Sequence, residues 1–109
     1  MKKIGILTSG GDAPRMNAAI RAVVKAAEHY GMSIVGFQNG YEGLIKGDFY
    51  DLMSEKVEDI ASKGGTILKT SRSAAFITEE GRQQAVYTLK ENNIGKLKAL
   101  TFRHLSFKI

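Results

Sequence analysis

Cysteine is absent from the 109 residues, which excludes disulfides and thiolate metal sites outright. Histidine occurs only twice, at His29 and His104, far apart and without ligand spacing, so the sequence offers no dedicated metal cage. No apolar run approaches the roughly 20 residues that a membrane span needs. The opening MKKIGILTSGGD is interrupted by glycine and charge too early for a signal peptide, so the expected location is the cytoplasm, with no membrane partner. Proline occurs once, and no repeat, low-complexity tract or proline-rich linker divides the chain. The rest is ordinary for a globular domain, at 43% hydrophobic and 25% charged residues. Sixteen basic against eleven acidic residues give a net charge of +5, which suits an anionic ligand such as a nucleotide, a sugar phosphate or nucleic acid. The basic residues are spread along the chain rather than gathered, which reads equally as a solvated surface.

The apolar periodicity alternates between strand and helix. KKIGILTS is a short buried strand closed by the turn SGGD. From Asn17, a plausible N-cap, NAAIRAVVKAAEHY sets Ala19, Ile20, Val23, Val24 and Ala27 on one helical stripe, and Gly31 is placed to stop it. MSIVGF reads as a second strand, QNGYEGLIKGD as a glycine-punctuated loop, and SEKVEDIASK as a short helix with Ser54 as cap and Gly64 beyond its end. TILKTS reads as a third strand. TEEGRQQAVYTLKENN is a helix opened by Thr78, with Ala85, Val86 and Leu89 facing inward. This order is the grammar of an α/β fold with a parallel sheet and right-handed crossovers. After ENNIGKL a buried central strand is due, yet Lys98, Arg103, His104 and Lys108 interrupt KALTFRHLSFKI, which passes better as an edge strand.

A strand, TSGGD and then a helix form a geometry for binding phosphate. Glycines let the backbone approach an oxyanion, and free N–H groups at the helix start point toward it. The spacing is neither G-x-G-x-x-G nor G-x-x-x-x-G-K-[ST], so the dinucleotide and P-loop fingerprints are both absent. Alone, the glycine turn serves equally as a ligand site or as a structural turn clearing the sheet edge.

The larger string is more specific. IGILTSGGDAP, MNAAIRAVV, GYEGLI and GGTILKTSR stand in order and closely resemble the N-terminal third of bacterial ATP-dependent 6-phosphofructokinases, from Met1 to about Leu97. The resemblance implies a partial Rossmann-like parallel sheet with flanking helices, in which 1–97 is the N-terminal part of the ATP-binding domain. It also implies ATP and Mg2+ as cofactors, fructose 6-phosphate as substrate and a homotetramer, with no nucleic-acid partner. By the same resemblance Gly11 contacts the ATP phosphates through its backbone, and Tyr41 stands near the nucleotide. Arg72 touches the transferring phosphoryl group, where a guanidinium can fork onto the oxygens and stabilise their spreading charge. Ser73 follows it in the nucleotide-contacting pair. Arg21 and Lys25 are four apart on one helix face and, with Asp59, resemble the allosteric effector's phosphate site. Lys25 stands where the family usually has arginine, keeping the charge but losing the fork, and Ser54 also replaces a common arginine. By itself the Arg21–Lys25 pair reads equally as a solvated helix face.

The segment 98–109 departs from the family and is expected to be an aberrant tail, arising from truncation, a frame shift or a real variant. It lacks the glycine-rich, aspartate-bearing motif that organises magnesium, and the catalytic base and sugar-binding segments are not in this chain. Such a piece of a doubly wound sheet is expected to fold marginally, with apolar surface uncovered. Three functional readings follow: the kinase itself, a nucleotide-binding fragment without turnover, and a small basic nucleic-acid binder resting only on charge and FRHLSF. Arg15 occupies a glycine position of the family's GGD-x-P-G-M-N run, bringing a Cβ and a long cation to a loop that needs close backbone approach. Arg15→Gly is therefore expected to raise nucleotide affinity in a direct binding titration; no gain on reversion would refute that reading.

Overall fold

Lys3–Thr8 forms β1, the strand on which the sheet is built. Its alternating side chains face opposite ways, with Ile6 and Leu7 both completely buried, each in a different apolar cluster. The structure, a computed structural model, describes residues 3–9, 16–60, 66–70, 74–100 and 105–108. Among these, β1 is followed by α1 (Met16–His29), β2 (Ser33–Phe37), α2 (Gly40–Lys46), β3 (Phe49–Leu52) and a 3₁₀ turn (Ser54–Val57). Then come α3 (Ala74–Ile77), α4 (Glu79–Glu91), β4 (Ile94–Leu100) and β5 (Leu105–Lys108). The described strands form one sheet in the order β3-β2-β1-β4-β5. Its centre is parallel, as the sequence predicts, with Ile4 beside Ile34 on one side and Lys96 on the other. Both edges are antiparallel: β3 pairs with β2 and β5 with β4.

Two layers of helix cover the centre. On one face Ile6 and Ile34 pack with Met16, Ile20, Val24 and Ala27 of α1 and with Val57 of the 3₁₀ turn. On the other, Leu7, Val35 and Leu97 pack with Leu44 of α2 and with Ala85 and Leu89 of α4. Apolar residues on both faces are what a parallel sheet buried between helices requires. Gly31 ends α1 in the left-handed region at φ 70°, with its N–H bonded to Glu28 O and the Met32 N–H to Ala27 O. That pair of bonds is a Schellman motif, satisfying carbonyls the helix end would leave orphaned. Thr78 caps α4 as expected, its hydroxyl accepting from the Gly81 N–H at 3.0 Å.

Several sequence expectations are corrected. Asn17 is not an N-cap, because α1 begins at Met16 and the Asn17 side chain is buried against a neighbouring segment. The stretch 38–48, read as a loop, contains α2. Its glycines act as fittings rather than breakers: Gly47, at φ 74°, turns its N–H back to Gly43 O, and a Cβ on Gly43 would run into the Gln38 carbonyl. Strand β3 went unrecognised, although Phe49 meets Phe37 edge-on across the pair with centroids 5.4 Å apart. The helix expected from Ser54 is, within the described residues, a single 3₁₀ turn, and the Ser54 N–H donates to Glu28 Oε2 rather than Ser54 capping anything. Gly64 lies outside the described residues. Of TILKTS, the described residues 66–70 are not a strand: Lys69 sits at φ 61°, and Ile67 and Leu68 make a turn. Val86 does not face inward but is 44% exposed. Finally, the first residues of KALTFRHLSFKI complete an interior strand, while Leu105–Lys108 form the edge strand β5. The central strand due after ENNIGKL is β4 itself, beginning at Ile94 and carrying Lys96 exposed and Lys98 half-buried. Both lysines flank Ile4 and Ile6 on the α1 side, in a groove that α1 does not close.

The Gly43 contact makes a sharp comparison. Gly43→Ala must push α2 off the end of β2 and is expected to lower stability by about 1–3 kcal/mol, as overpacking does. Gly95→Ala, whose added Cβ meets nothing, should leave the urea midpoint nearly unchanged. Equal midpoints for the two variants would contradict this packing.

Candidate functional site

The parallel strands β2, β1 and β4 end together, and in open α/β sheets ligands bind beyond such carboxyl ends, where the chain leaves neighbouring strands in opposite directions. Here β1 is that point, with β2 on one side and β4 on the other. Its last residues are tightly held. The Ser9 N–H donates to Leu100 O at 3.0 Å, continuing the ladder by one residue. The Thr8 hydroxyl, fully buried, donates to Lys69 O at 2.9 Å and lies 3.1 Å from the Thr66 hydroxyl. Because Thr8 has only one proton, Thr66 must donate in that second bond. Thr66 Oγ1 in turn accepts from the Leu68 N–H, and Asn17 Oδ1 accepts from the Ile67 N–H at 2.6 Å.

Tyr41 stands beside this edge. It projects from α2, stacks on Phe76 of α3 with ring centroids 4.1 Å apart and planes at 21°, and hydrogen-bonds the Ser9 side chain. Burial pushes the Tyr41 phenol above its ordinary value, and the bond to Ser9 partly offsets that. Arg82 of α4 closes the group, its Nη1 donating to Ile77 O at 2.7 Å and to Phe76 O at 3.4 Å. Together with Leu44, Val86 and Leu97 these side chains line a cavity of about 330 Å³. That volume and its aromatic wall suit one flat ring system with a charged edge.

Of the residues singled out from the sequence, Gly11, Arg15, Arg72 and Ser73 lie outside the described residues. Tyr41 is in the cavity. Arg21 and Lys25 are elsewhere: they project from α1, which covers the opposite face of the sheet from α2. Lys25 Nζ pairs with Glu58 Oε2 at 3.3 Å, next in sequence to Asp59. The buried Arg21 Nε has no hydrogen-bond partner among the described residues. Among the described residues, Tyr41 and the Arg21–Lys25 pair thus lie on opposite faces of the sheet. Phe76 and Arg82 were missed. The available signal was an aromatic residue four places beyond Arg72, but its partner Tyr41 is distant in the chain. Among the described residues no three His, Cys, Asp or Glu side chains gather as a metal site. No described helix is long and apolar enough to cross a membrane.

A family model described as "Phosphofructokinase" matches residues 3–100. The ATP-dependent 6-phosphofructokinase of Halothermothrix orenii is 56% identical over 94 residues, covering 86% of this chain and 28% of that protein. The ATP-dependent 6-phosphofructokinase of Thermotoga petrophila is 49% identical and covers 99% of this chain and 36% of that protein. The chain therefore spans about a third of the length of these curated relatives. Among solved structures, phosphofructokinase from Saccharomyces cerevisiae superposes with a TM-score of 0.87 at 42% identity, over 91% of this chain and 14% of that one. The T-state phosphofructokinase of Pichia pastoris does so with a TM-score of 0.87 at 45% identity, over 90% of this chain and 11% of that one.

The Tyr41 environment has a sign that can be measured. The folded state holds the Tyr41 proton more tightly than the unfolded chain, so stability is lost as pH rises past the ordinary tyrosine value of 10.0. In a phenolate absorbance titration, the component removed by Tyr41→Phe is expected to have its midpoint above that value. A missing component at or below it would mean that the ring is not desolvated.

Proposed function

The chain belongs to the phosphofructokinase family, and from that premise we propose that it forms the ATP-binding part of a 6-phosphofructokinase. The observation that carries the reading is the cradle of Tyr41, Phe76 and Arg82, joined through Ser9 to the end of the central strand. A purine fits the apolar, aromatic part of that cavity. Its polyphosphate then runs toward the segment after Ser9, where the Gly11 backbone amides receive phosphate oxygens. Arg72, followed by Ser73, precedes α3, the helix that carries Phe76, so the chain that supplies the base-stacking ring also supplies the guanidinium. Its role is to stabilise charge on the transferring phosphoryl group, by forked hydrogen bonds that strengthen as that charge spreads.

The reaction proposed for the whole protein is transfer of the ATP γ-phosphoryl group to the 1-hydroxyl of fructose 6-phosphate, in glycolysis, in the cytoplasm, by a homotetramer. Magnesium, when bound, would neutralise charge on the phosphates. The proton acceptor and the sugar-binding residues are assigned to parts of the relatives beyond the third that this chain spans. That coverage favours a second reading for the chain acting alone: nucleotide binding without turnover. On the other face, Arg21, Lys25 and Asp59 are proposed to bind the phosphates of a regulatory nucleotide, for which the Lys25–Glu58 pair would have to open.

Calorimetric titration of the full chain with ATP and ADP tests the central assignment. Arg72→Ala is expected to weaken ATP about tenfold or more, the worth of a charge-assisted hydrogen bond, and ADP much less. Tyr41→Ala should weaken both alike. Nucleotide binding unaffected by either change would overturn the site. A coupled assay for fructose 1,6-bisphosphate separates the two readings, since turnover by this chain would exclude the binding-only one.

A further inference from the structure

Buried polar side chains are few among the described residues: Thr8, Asn17 and Thr88. Two of the three, Thr8 and Asn17, sit at the carboxyl edge of β1, on either side of the segment that leaves Ser9. A hydroxyl or amide in such a place is costly unless its hydrogen bonds are made, and valine would fill the Thr8 position without that cost. Here such bonds are made, and the Thr8 bonds to Lys69 O and Thr66 and the Asn17 bond to the Ile67 N–H reach the same short stretch, 66–70.

That stretch has no strand partner among the described residues, yet its backbone is well used. The Ile67 N–H goes to Asn17, the Leu68 N–H to Thr66 Oγ1, and Lys69 O to Thr8. The Leu68 carbonyl accepts from the Asn39 N–H at 2.8 Å, one residue before α2 begins, and the Leu68 side chain is itself fully buried in the α1-side core. Lys69 is held in the left-handed region, which a long side chain rarely adopts, with its carbonyl fixed on the Thr8 hydroxyl. The end of β1, the start of α1, the entry to α2 and the turn at 66–70 are therefore tied by one connected set of hydrogen bonds. Thr8 and Thr66 are at its centre.

We propose that Thr8, Asn17 and Thr66 are positioning residues for the nucleotide: they fix the turn at 66–70 against the ends of β1 and α1, so that Ser9 and Thr70 are held at one edge beside Tyr41. This rests on the ATP-binding reading above and adds to it the residues that hold Ser9 and the turn at 66–70 together. The consequence is specific. Removing the Thr8 bonds is expected to leave the base cavity of Tyr41, Phe76 and Arg82 in place, because its walls come from α2, α3, α4 and Leu97 of β4 and the Asn39–Leu68 bond at the entry to α2 is kept. What is lost is the arrangement around the terminal phosphate, so ATP should suffer more than ADP. A role in stability alone would not separate the two nucleotides.

The test uses the full chain with Thr8→Val, which keeps the shape but removes both hydroxyl bonds, and Thr8→Ser, which keeps the hydroxyl. Far-ultraviolet circular dichroism establishes the folded fraction, and affinities for ATP and ADP are measured on the folded protein. Thr8→Val is expected to lose at least fivefold in ATP affinity relative to ADP, with Thr8→Ser restoring most of it. Should Thr8→Val fail to fold, Thr66→Val at a half-buried position removes the same Thr8–Thr66 bond and is expected to show the same selective loss. An unchanged ATP-to-ADP ratio in the folded valine variant, whatever happens to its melting temperature, overturns the positioning role alone. Absence of nucleotide binding by the unmodified chain overturns the ATP-binding reading and this proposal with it.

Discussion

The structure depends on one strand having no face to spare. In β1, Ile6 must satisfy the α1 side and Leu7 the α2–α4 side, while β2 and β4 occupy both hydrogen-bonding edges. A strand in that position cannot slip by one residue without turning its whole side-chain set over. Its end is therefore fixed in space. Thr8 extends this fixity past the ladder, using its hydroxyl to hold a turn 61 residues away in sequence.

The chemistry follows from that placement. Parallel strands ending together leave a crevice, and helices on the two faces supply its walls from different parts of the chain. On the α2–α4 face the walls are aromatic and apolar with one guanidinium, Arg82, held by the carbonyls of α3. On the α1 face Lys25 is paired to Glu58 at the end of the 3₁₀ turn. One sheet thus separates two surfaces of unlike character. The first presents the stacked Tyr41 and Phe76 rings beside the Arg82 guanidinium; the second presents Lys25 in an ion pair with Glu58.

Much of this was legible in the sequence where the information is local. The α1 stripe from Ile20 to Ala27, the stop at Gly31 and the Thr78 cap are decided by residues within a turn or two of one another, and they are as expected. The errors fall where a distant partner decides. Ile67 and Leu68 read as strand, but their amides are taken by Asn17 and Thr66, and Leu68 O by the Asn39 N–H, so no ladder can form. The glycines of 38–48 read as breakers because their function, the close approach of Gly43 to Gln38 and the reversal at Gly47, exists only once α2 is docked. The site behaved similarly. Composition and spacing alone left the glycine turn ambiguous, and the resemblance of four sequence blocks supplied Tyr41. Phe76 and Arg82 emerge only when α3 and α4 are brought against α2.

The claim on which the account rests is that a nucleotide lies along the carboxyl edge of β1, with its base against Tyr41 and Phe76. Mapping backbone amide shifts by two-dimensional NMR, as magnesium–ATP is added to the full chain, tests this most directly. The account predicts that the largest changes fall at Ser9, around Tyr41 and Phe76, and along 66–70. Changes confined to α1 and the 3₁₀ turn near Lys25 and Glu58, with that edge undisturbed, would contradict it.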